Sequence, residues 1–134
     1  MPSNLQVLVV DDDVDTAEST KILLEMHGYR VATAHQACDA VELCKQLRPD
    51  IVLLDLALPD MDGWEAATLI RQLLGPVFLV AITGQSRGAG ERAVTDARFD
   101  AYFTKPTTFN ELLKALAPVK PLLHGRPDSD LPAA

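Results

Sequence analysis

Three groups of charged residues could act together chemically, because each of them ends or follows an apolar, strand-like segment. Asp55 closes the apolar run 51–54, the carboxylates 11–13 close the apolar run 5–10, and Lys105 follows a later strand-like segment. Gathered carboxylates repel one another, and two unit charges about 4 Å apart cost roughly 4 kcal/mol at an effective dielectric constant of 20. A divalent cation removes that cost, and hard oxygen ligands select Mg²⁺ or Mn²⁺. The sequence therefore predicts a magnesium-assisted phosphoryl acceptor.

Five apolar segments alternate with segments of helical periodicity. The first, third and fourth are nearly continuous in Val, Ile and Leu, which is typical of parallel strands buried on both faces. Helical crossovers between successive strands indicate a parallel sheet with helices on both faces, an α/β doubly wound fold. The predicted strands are residues 5–10, 31–34, 51–54, 77–82 and 101–103.

The sequence predicts which residues anchor the first helical segment and that the fourth helical segment is the least stable. Ile22, Leu23 and Met26 are predicted to anchor the helix after the acid cluster, and Gly28 is placed to cap its C-terminus. The segment 86–97 is the poorest helix, because its two glycines each cost about 1 kcal/mol relative to alanine. It is therefore the predicted mobile element of the fold.

The strand ends collect residues that are distant in the chain. In an open α/β sheet, ligands bind outside the carboxyl ends of the strands. Asp55, the acids 11–13, Thr83 and Lys105 all follow or end predicted strands, so they meet at that edge. There Thr83 offers a hydroxyl donor and Lys105 a point charge to the oxygens of an incoming phosphoryl group.

Size and composition limit the partners. The 134 residues are 48% hydrophobic and 23% charged, which fits one globular domain, predicted over residues 1–118, with a mostly disordered tail at 119–134. A formal charge of −7 argues against nucleic acid as a partner. No apolar stretch approaches the roughly 20 residues that span a bilayer, and residues 1–4 lack the basic-then-apolar pattern of a secretory signal, so we expect none. We expect a cytoplasmic protein without a membrane segment.

Four pieces of sequence, each at the end of a predicted strand, resemble those of response-regulator receiver domains. The resemblance covers about residues 5–117 and implies a five-stranded sheet in the flavodoxin-like order 2-1-3-4-5. The Leu-Pro-Asp-Met-Asp-Gly and Val-Ala-Ile-Thr-Gly-Gln runs are similar to receivers of hybrid sensor kinases. The four matching pieces are VLVVDDD at 7–13, IVLLDLALPDMDG at 51–63, VAITG at 80–84 and YFTKP at 102–106.

The resemblance implies a phosphoacceptor and a metal site. Asp55 would take a phosphoryl group from the phosphohistidine of a histidine kinase or a histidine phosphotransfer protein. Asp12 would hold Mg²⁺ directly and Asp11 through water, with Asp55 and the backbone carbonyl of Ala57 as further ligands. Mn²⁺ is expected to substitute for Mg²⁺.

The resemblance also implies a conformational switch that signals to a downstream partner. Thr83 would move toward the new phosphoryl oxygen, Lys105 would pair with it, and Tyr102 would change rotamer as the signal moves outward. The Lys105–Pro106 bond is a candidate cis peptide. Such bonds otherwise make up only about 5–6% of X–Pro bonds.

Two other functions remain open beside the receiver. An aspartyl-phosphate hydrolase usually places an acid two positions after the nucleophile, and the chain has Ala57 there. We therefore expect no catalytic activity beyond the protein's own phosphorylation and slow autodephosphorylation. The third function is an interaction module in which phosphorylation is irrelevant. The presence of the complete set of acids, threonine and lysine argues against it.

Several further polar and apolar residues are expected to serve the fold. Asp13 is predicted to cap the first helix, and Asp60 and Asp62 to be solvated turn or cap residues. For Tyr102, the alternative to a rotamer switch is a static aromatic residue in the core. The residues expected to be structural, packed or exposed are His27, His35, His124, Cys38, Cys44 and Trp64.

Overall fold

The computed structural model describes residues 5–58, 60–84, 99–105 and 108–119. They form a five-stranded parallel sheet in the order β2-β1-β3-β4-β5, which confirms the predicted doubly wound sheet and its strand order. Every strand end lies within one residue of its prediction. The strands are β1 Gln6–Val10, β2 Arg30–Ala34, β3 Ile51–Asp55, β4 Phe78–Thr83 and β5 Ala101–Thr104.

Helices cover both faces of the sheet. Side chains alternate along β1, so Leu8 and Val10 pack on one face while Val7 and Val9 pack on the other. The first face is covered by α2 and α3, and the second by α1 and α4. The described helices are α1 Val14–Glu25, α2 Ala37–Leu47, α3 Gly63–Leu74 and α4 Phe109–Leu116.

The contact between α1 and the sheet corrects one prediction. Ile22, Leu23 and Met26 do not anchor the helix, because their exposed fractions are 55%, 38% and 73%, and α1 instead packs through Ala17 and Leu24. Successive helix residues are about 100° apart, so adjacent apolar residues cannot all face the sheet. The apolar run at the end of α1 therefore presents part of its surface to solvent.

The turn after α1 agrees with its prediction. Gly28 has φ 94°, a conformation that favours glycine, and its N–H donates to the Glu25 carbonyl at 3.1 Å. The chain then reverses into β2.

Among the residues that the structure describes, none of the helices has the length and apolar character needed to cross a bilayer.

The strand register sets the positions of the site residues. Val10 pairs with Ala34 on one side and with Leu54 on the other, so the residues that follow all three strands lie at one level. Asp55 in turn pairs with Ile82. The carboxyl ends of the strands therefore meet at one edge of the sheet, as the sequence predicts.

Three predictions fall outside the described residues. They concern the weak helix at 86–97, the cis peptide at Pro106 and the tail at 119–134, of which only Val119 is described. The domain boundary near residue 118 stays a prediction for the same reason.

Candidate functional site

The acid cluster begins where β1 ends. Asp11 is only 6% exposed, and its N–H donates to the Ala34 carbonyl at 3.0 Å. Its Oδ1 accepts the N–H of Asp13 at 2.9 Å, whereas Asp12 is exposed. The chain thus buries one carboxylate against the sheet and leaves the next one open to solvent.

Asp55 is the last residue of β3 and is 2% exposed. Its Oδ1 accepts the N–H of Ala57 at 2.9 Å, which fixes the carboxylate at the start of the following turn. That turn returns close to the strand end at Gly63, whose N–H donates to the Leu56 carbonyl at 3.3 Å. A Cβ on Gly63 would lie 2.7 Å from that carbonyl oxygen, so the approach requires glycine.

Lys105 supplies the positive charge of the cluster. Its backbone N–H donates to the Thr83 carbonyl at 2.7 Å, which carries the side chain from the end of β5 to the acids. The ammonium Nζ lies 2.9 Å from Asp55 Oδ2 and 3.9 Å from Asp11 Oδ2. Lys105 therefore bridges the two buried carboxylates.

Burial and charge shift the titration of two of these groups in the folded protein. Burial raises the pKa of Asp11, although the N–H of Asp13 and the charge of Lys105 oppose it. Burial alone would lower the pKa of Lys105, but the hydrogen bond and charge of Asp55 outweigh it and raise that pKa. The lysine is thus fully protonated beside carboxylates that repel one another.

Carboxylate oxygens of Asp11, Asp12 and Asp55 lie within 4.8 Å of one another. An octahedral ion with oxygens at about 2.1 Å separates its ligands by about 3–4 Å, so small adjustments would place all three carboxylates around Mg²⁺. Ala57, the fourth predicted ligand through its carbonyl, is exposed in the turn beside Asp55. The donor set is all oxygen and fits a hard divalent cation.

Thr83 and Tyr102 occupy the neighbouring strands. Thr83 ends β4 at 1% exposure, and its hydroxyl donates to the Gly84 carbonyl. Tyr102 is 37% exposed on β5, so the alternative of a core aromatic is wrong. The movements predicted for both residues stay predictions.

The capping predictions for the exposed acids have a more varied outcome. Asp13 caps α1 and accepts the Asp15 N–H at 3.1 Å, and Asp62 caps α3 and accepts the Trp64 N–H at 2.9 Å. Both follow the prediction. Asp60 is exposed and also caps a helix, but that helix is α2, which begins 23 residues earlier in the chain.

Sequence reasoning missed two contacts at the start of α2. His35 Nδ1 lies 3.0 Å from the Asp11 carbonyl oxygen, and Asp60 accepts the N–H groups of Ala37 at 2.8 Å and Cys38 at 3.0 Å. For the His35 contact a signal was available in the predicted strand order, because β2 lies beside β1 and their following loops must touch. The partner atoms, however, depend on the folded loops.

The packing predictions hold for two of three residues. Cys44 is fully buried on α2, and burial raises the pKa of its thiol to about 12. Trp64 is 8% exposed and meets Phe99 edge-on, with ring centroids 5.4 Å apart. Cys38 is exposed, so a packing role for it is wrong. His27 is exposed and His35 half-buried, while His124 lies outside the described residues.

A parallel sheet in this order, with an aspartate ending its central strand, defines a flavodoxin-like α/β protein with its site at the carboxyl edge. The family model for the response regulator receiver domain matches residues 7–117. The chain belongs to this family, and it is a receiver domain of two-component signalling rather than an enzyme of the usual kind.

Relatives and solved structures agree with this assignment. Response regulator MprA of Mycobacterium ulcerans is 34% identical over 110 residues, covering 82% of this chain and 47% of that protein. The chain thus spans about half the length of such curated relatives. A 14.6 kDa protein of Leptolyngbya boryana is 33% identical and matches over 87% of its length and 84% of this chain. The crystal structure of a CheY-like receiver domain protein from Methanospirillum hungatei superposes with a TM-score of 0.79 at 31% identity, covering 86% of this chain and 92% of that one.

Proposed function

We propose that this receiver accepts a phosphoryl group on Asp55 from the phosphohistidine of a histidine kinase or histidine phosphotransfer protein. The observation that carries the proposal is the Asp55–Lys105 contact of 2.9 Å inside a cluster of three carboxylates. A buried acceptor, a fixed cation and a cluster of oxygen ligands are the parts that phosphoryl transfer requires.

The transfer exchanges one bond to phosphorus for another. An oxygen of Asp55 forms a bond to phosphorus while the bond from phosphorus to the imidazole nitrogen of the donor breaks, and the imidazole leaves with its electron pair. Bound Mg²⁺, held by Asp11, Asp12, Asp55 and the Ala57 carbonyl, would neutralise the phosphoryl oxygens. Lys105 would keep its place and pair with a phosphoryl oxygen.

The same residues argue for a phosphoryl group that is held rather than rapidly hydrolysed. Ala57 provides no acid or base two positions after Asp55, and it is exposed in the turn. Hydrolysis therefore depends on unassisted water or on a partner. The phosphoryl group then persists long enough to shift the conformational equilibrium through Thr83 and Tyr102, which a downstream protein reads.

We propose that the phosphoryl donor docks along α1. Val14 in its first turn is 52% exposed, and Ile22 and Met26 further along are 55% and 73% exposed. A cleft of about 870 Å³ lies between α1 and α4 and reaches Asp11 and Lys105 at the acid cluster. Exposed apolar residues on α1, beside a cleft that reaches the acid cluster, suit a protein donor that must bring its phosphohistidine to Asp55.

Incubation with Mg²⁺ and acetyl phosphate tests the proposal. Intact-mass spectrometry is expected to find one added phosphoryl group on the wild type and none on Asp55→Asn. Asp62→Asn is the matched control, because it removes a carboxylate from the same loop and asparagine still caps α3. Labelling that survives Asp55→Asn, or a wild type that stays unlabelled, would contradict the assignment.

Multiple-turnover measurements separate the receiver from the two other functions. An aspartyl-phosphate hydrolase would release many equivalents of phosphate from a small phosphoester, and we expect none beyond the slow loss of the Asp55 label. A phosphorylation-independent interaction module would bind its partner equally well with and without label. The hybrid-kinase origin and the cytoplasmic location stay predictions.

A further inference from the structure

We propose that His35 is a positioning residue for the metal-binding acids, acting through the backbone that joins Asp11 to Asp12. The proposal rests on the proposed function, because it concerns the Mg²⁺ affinity of those acids. His35 directly follows β2, and neither that strand nor the loop after it contributes any of the three carboxylates. Its role would be to hold the loop after β1 in place from the neighbouring strand.

The contact lies at the one peptide group that the two acids share. His35 Nδ1 is 3.0 Å from the Asp11 carbonyl oxygen, and since a carbonyl only accepts, Nδ1 carries the proton and donates. The N–H of Asp11 is held by Ala34, and its Oδ1 accepts the Asp13 N–H. The carbonyl end of the peptide between Asp11 and Asp12 is therefore held by His35, while the backbone N–H and the carboxylate of Asp11 are held by Ala34 and Asp13. The plane of that peptide sets where the exposed Asp12 carboxylate points.

A second contact ties the same turn to the other half of the cluster. Asp60, in the loop after Asp55, accepts the N–H groups of Ala37 and Cys38 at the start of α2. The turn of residues 35–38 thus contacts both loops that carry metal-binding acids. It holds their spacing against the mutual repulsion of the carboxylates.

Loss of the His35 bond is expected to weaken Mg²⁺ binding by about tenfold. Groups that orient metal ligands typically change affinity by about 10- to 100-fold when they are removed. The low end applies here, because His35 contacts the backbone of a ligand residue rather than its carboxylate. The loss should appear in the dissociation constant for Mg²⁺, whereas the free energy of unfolding without metal should change much less.

The test is a calorimetric titration of the chain with MgCl₂, paired with thermal unfolding in EDTA. His35→Ala is expected to raise the dissociation constant about tenfold. His35→Asn is expected to restore most of the affinity, because its amide nitrogen is as many bonds from the backbone as Nδ1. His27→Ala is the matched control: its Nδ1 contacts the Leu23 carbonyl at 2.9 Å, at the far end of α1. Its Mg²⁺ affinity should equal that of the wild type.

Three outcomes overturn the proposal. Equal Mg²⁺ affinity in His35→Ala and His27→Ala would make His35 a purely structural residue. Equal losses in His35→Ala and His35→Asn would assign the effect to packing rather than to the donated bond. A wild type without Mg²⁺ binding would overturn the proposed function as well. If His35→Ala does not fold, His35→Leu, which fills the space without a donor, is compared with His35→Asn on the same criteria.

Discussion

Replacing Asp11 with asparagine should stabilise the metal-free protein and remove the stabilisation given by Mg²⁺. Asp11 is 6% exposed, and its carboxylate lies within 4.8 Å of those of Asp12 and Asp55. Asparagine has nearly the same shape and keeps the oxygen that accepts the Asp13 N–H. The substitution therefore changes the charge of the cluster and little else.

The magnitude is set by the distances. At an effective dielectric constant of 20, repulsion from Asp55 across at most 4.8 Å costs at least about 3.5 kcal/mol, and repulsion from the exposed Asp12 is weakened by solvent. Attraction to Lys105 at 3.9 Å returns about 4 kcal/mol. Burial of the Asp11 charge adds a further cost, so we expect a net gain of about 1–3 kcal/mol from the substitution. At about 4 °C per kcal/mol, the midpoint rises by about 4–12 °C.

The pH dependence tests independently whether Asp11→Asn stabilises or destabilises the metal-free protein. Burial raises the pKa of Asp11 in the folded state, so the folded protein binds the proton more tightly than the unfolded chain. The advantage of Asp11→Asn is therefore full above the folded pKa and disappears as the pH falls below the unfolded value. An advantage that grows toward low pH would contradict this account.

Thermal unfolding by circular dichroism measures both effects. In Mg²⁺ at tenfold its dissociation constant, the wild type should gain about 1.4 kcal/mol and Asp11→Asn almost nothing. Asp62→Asn is the control and should keep the Mg²⁺ response. A lower midpoint for Asp11→Asn in EDTA, or a full Mg²⁺ response in that variant, would refute the reasoning.

Three further predictions concern packing, thiols and pH. Gly63→Ala should lose about 1–3 kcal/mol of unfolding free energy in a denaturant titration because its Cβ would overlap backbone, whereas Gly84→Ala, with nothing within 4 Å, should be close to neutral. A thiol reagent at pH 8 should label exposed Cys38 in the folded protein, although its hydrogen bond with Asp60 raises the pKa of its thiol. Cys44 should react only after unfolding, since it is buried and burial raises its pKa to about 12. Hydrogen bonds from backbone N–H groups lower the pKa of Asp60 in the folded state, so its stabilisation is present above the unfolded pKa and lost as the pH falls through the folded one. The difference in melting midpoint between wild type and Asp60→Asn should shrink accordingly in acid.

Each of these predictions has a clear contrary result. Equal unfolding free energies for Gly63→Ala and Gly84→Ala would mean that the turn after β3 can move away from the strand end. Two thiols that react at the same rate in the folded protein would contradict the burial of Cys44. A pH-independent midpoint difference for Asp60→Asn would show that its charge does not support α2.

The residues of the cluster were predictable because they end strands. The apolar runs before Asp11 and Asp55 mark buried parallel strands, and the residues after such strands gather at the carboxyl edge of the sheet. The structure brings together Asp11, Asp12, Asp55 and Lys105 accordingly. The individual contacts, such as the 2.9 Å bond to Lys105, depend on loop conformation and needed the structure.

The partner atoms in contacts between loops, and the face of α1 that packs on the sheet, could not be predicted from the sequence. Asp60 looks like a local turn residue, but its partners at the start of α2 lie 22 and 23 residues away. His35 has no carboxylate at ligand spacing in the chain, and its partner is a backbone carbonyl. Ile22 and Leu23 are as apolar as Leu24, and only the packing of α1 decides which one is buried.

The central claim is that Asp55 is the residue that carries the phosphoryl group. Its most direct test is borohydride reduction of the protein after reaction with acetyl phosphate and Mg²⁺, followed by peptide sequencing in the mass spectrometer. An aspartyl phosphate is reduced to homoserine, whereas a free aspartate is not. We predict homoserine at position 55 alone. Homoserine at 11, 12 or 62 with intact aspartate at 55 would contradict the account.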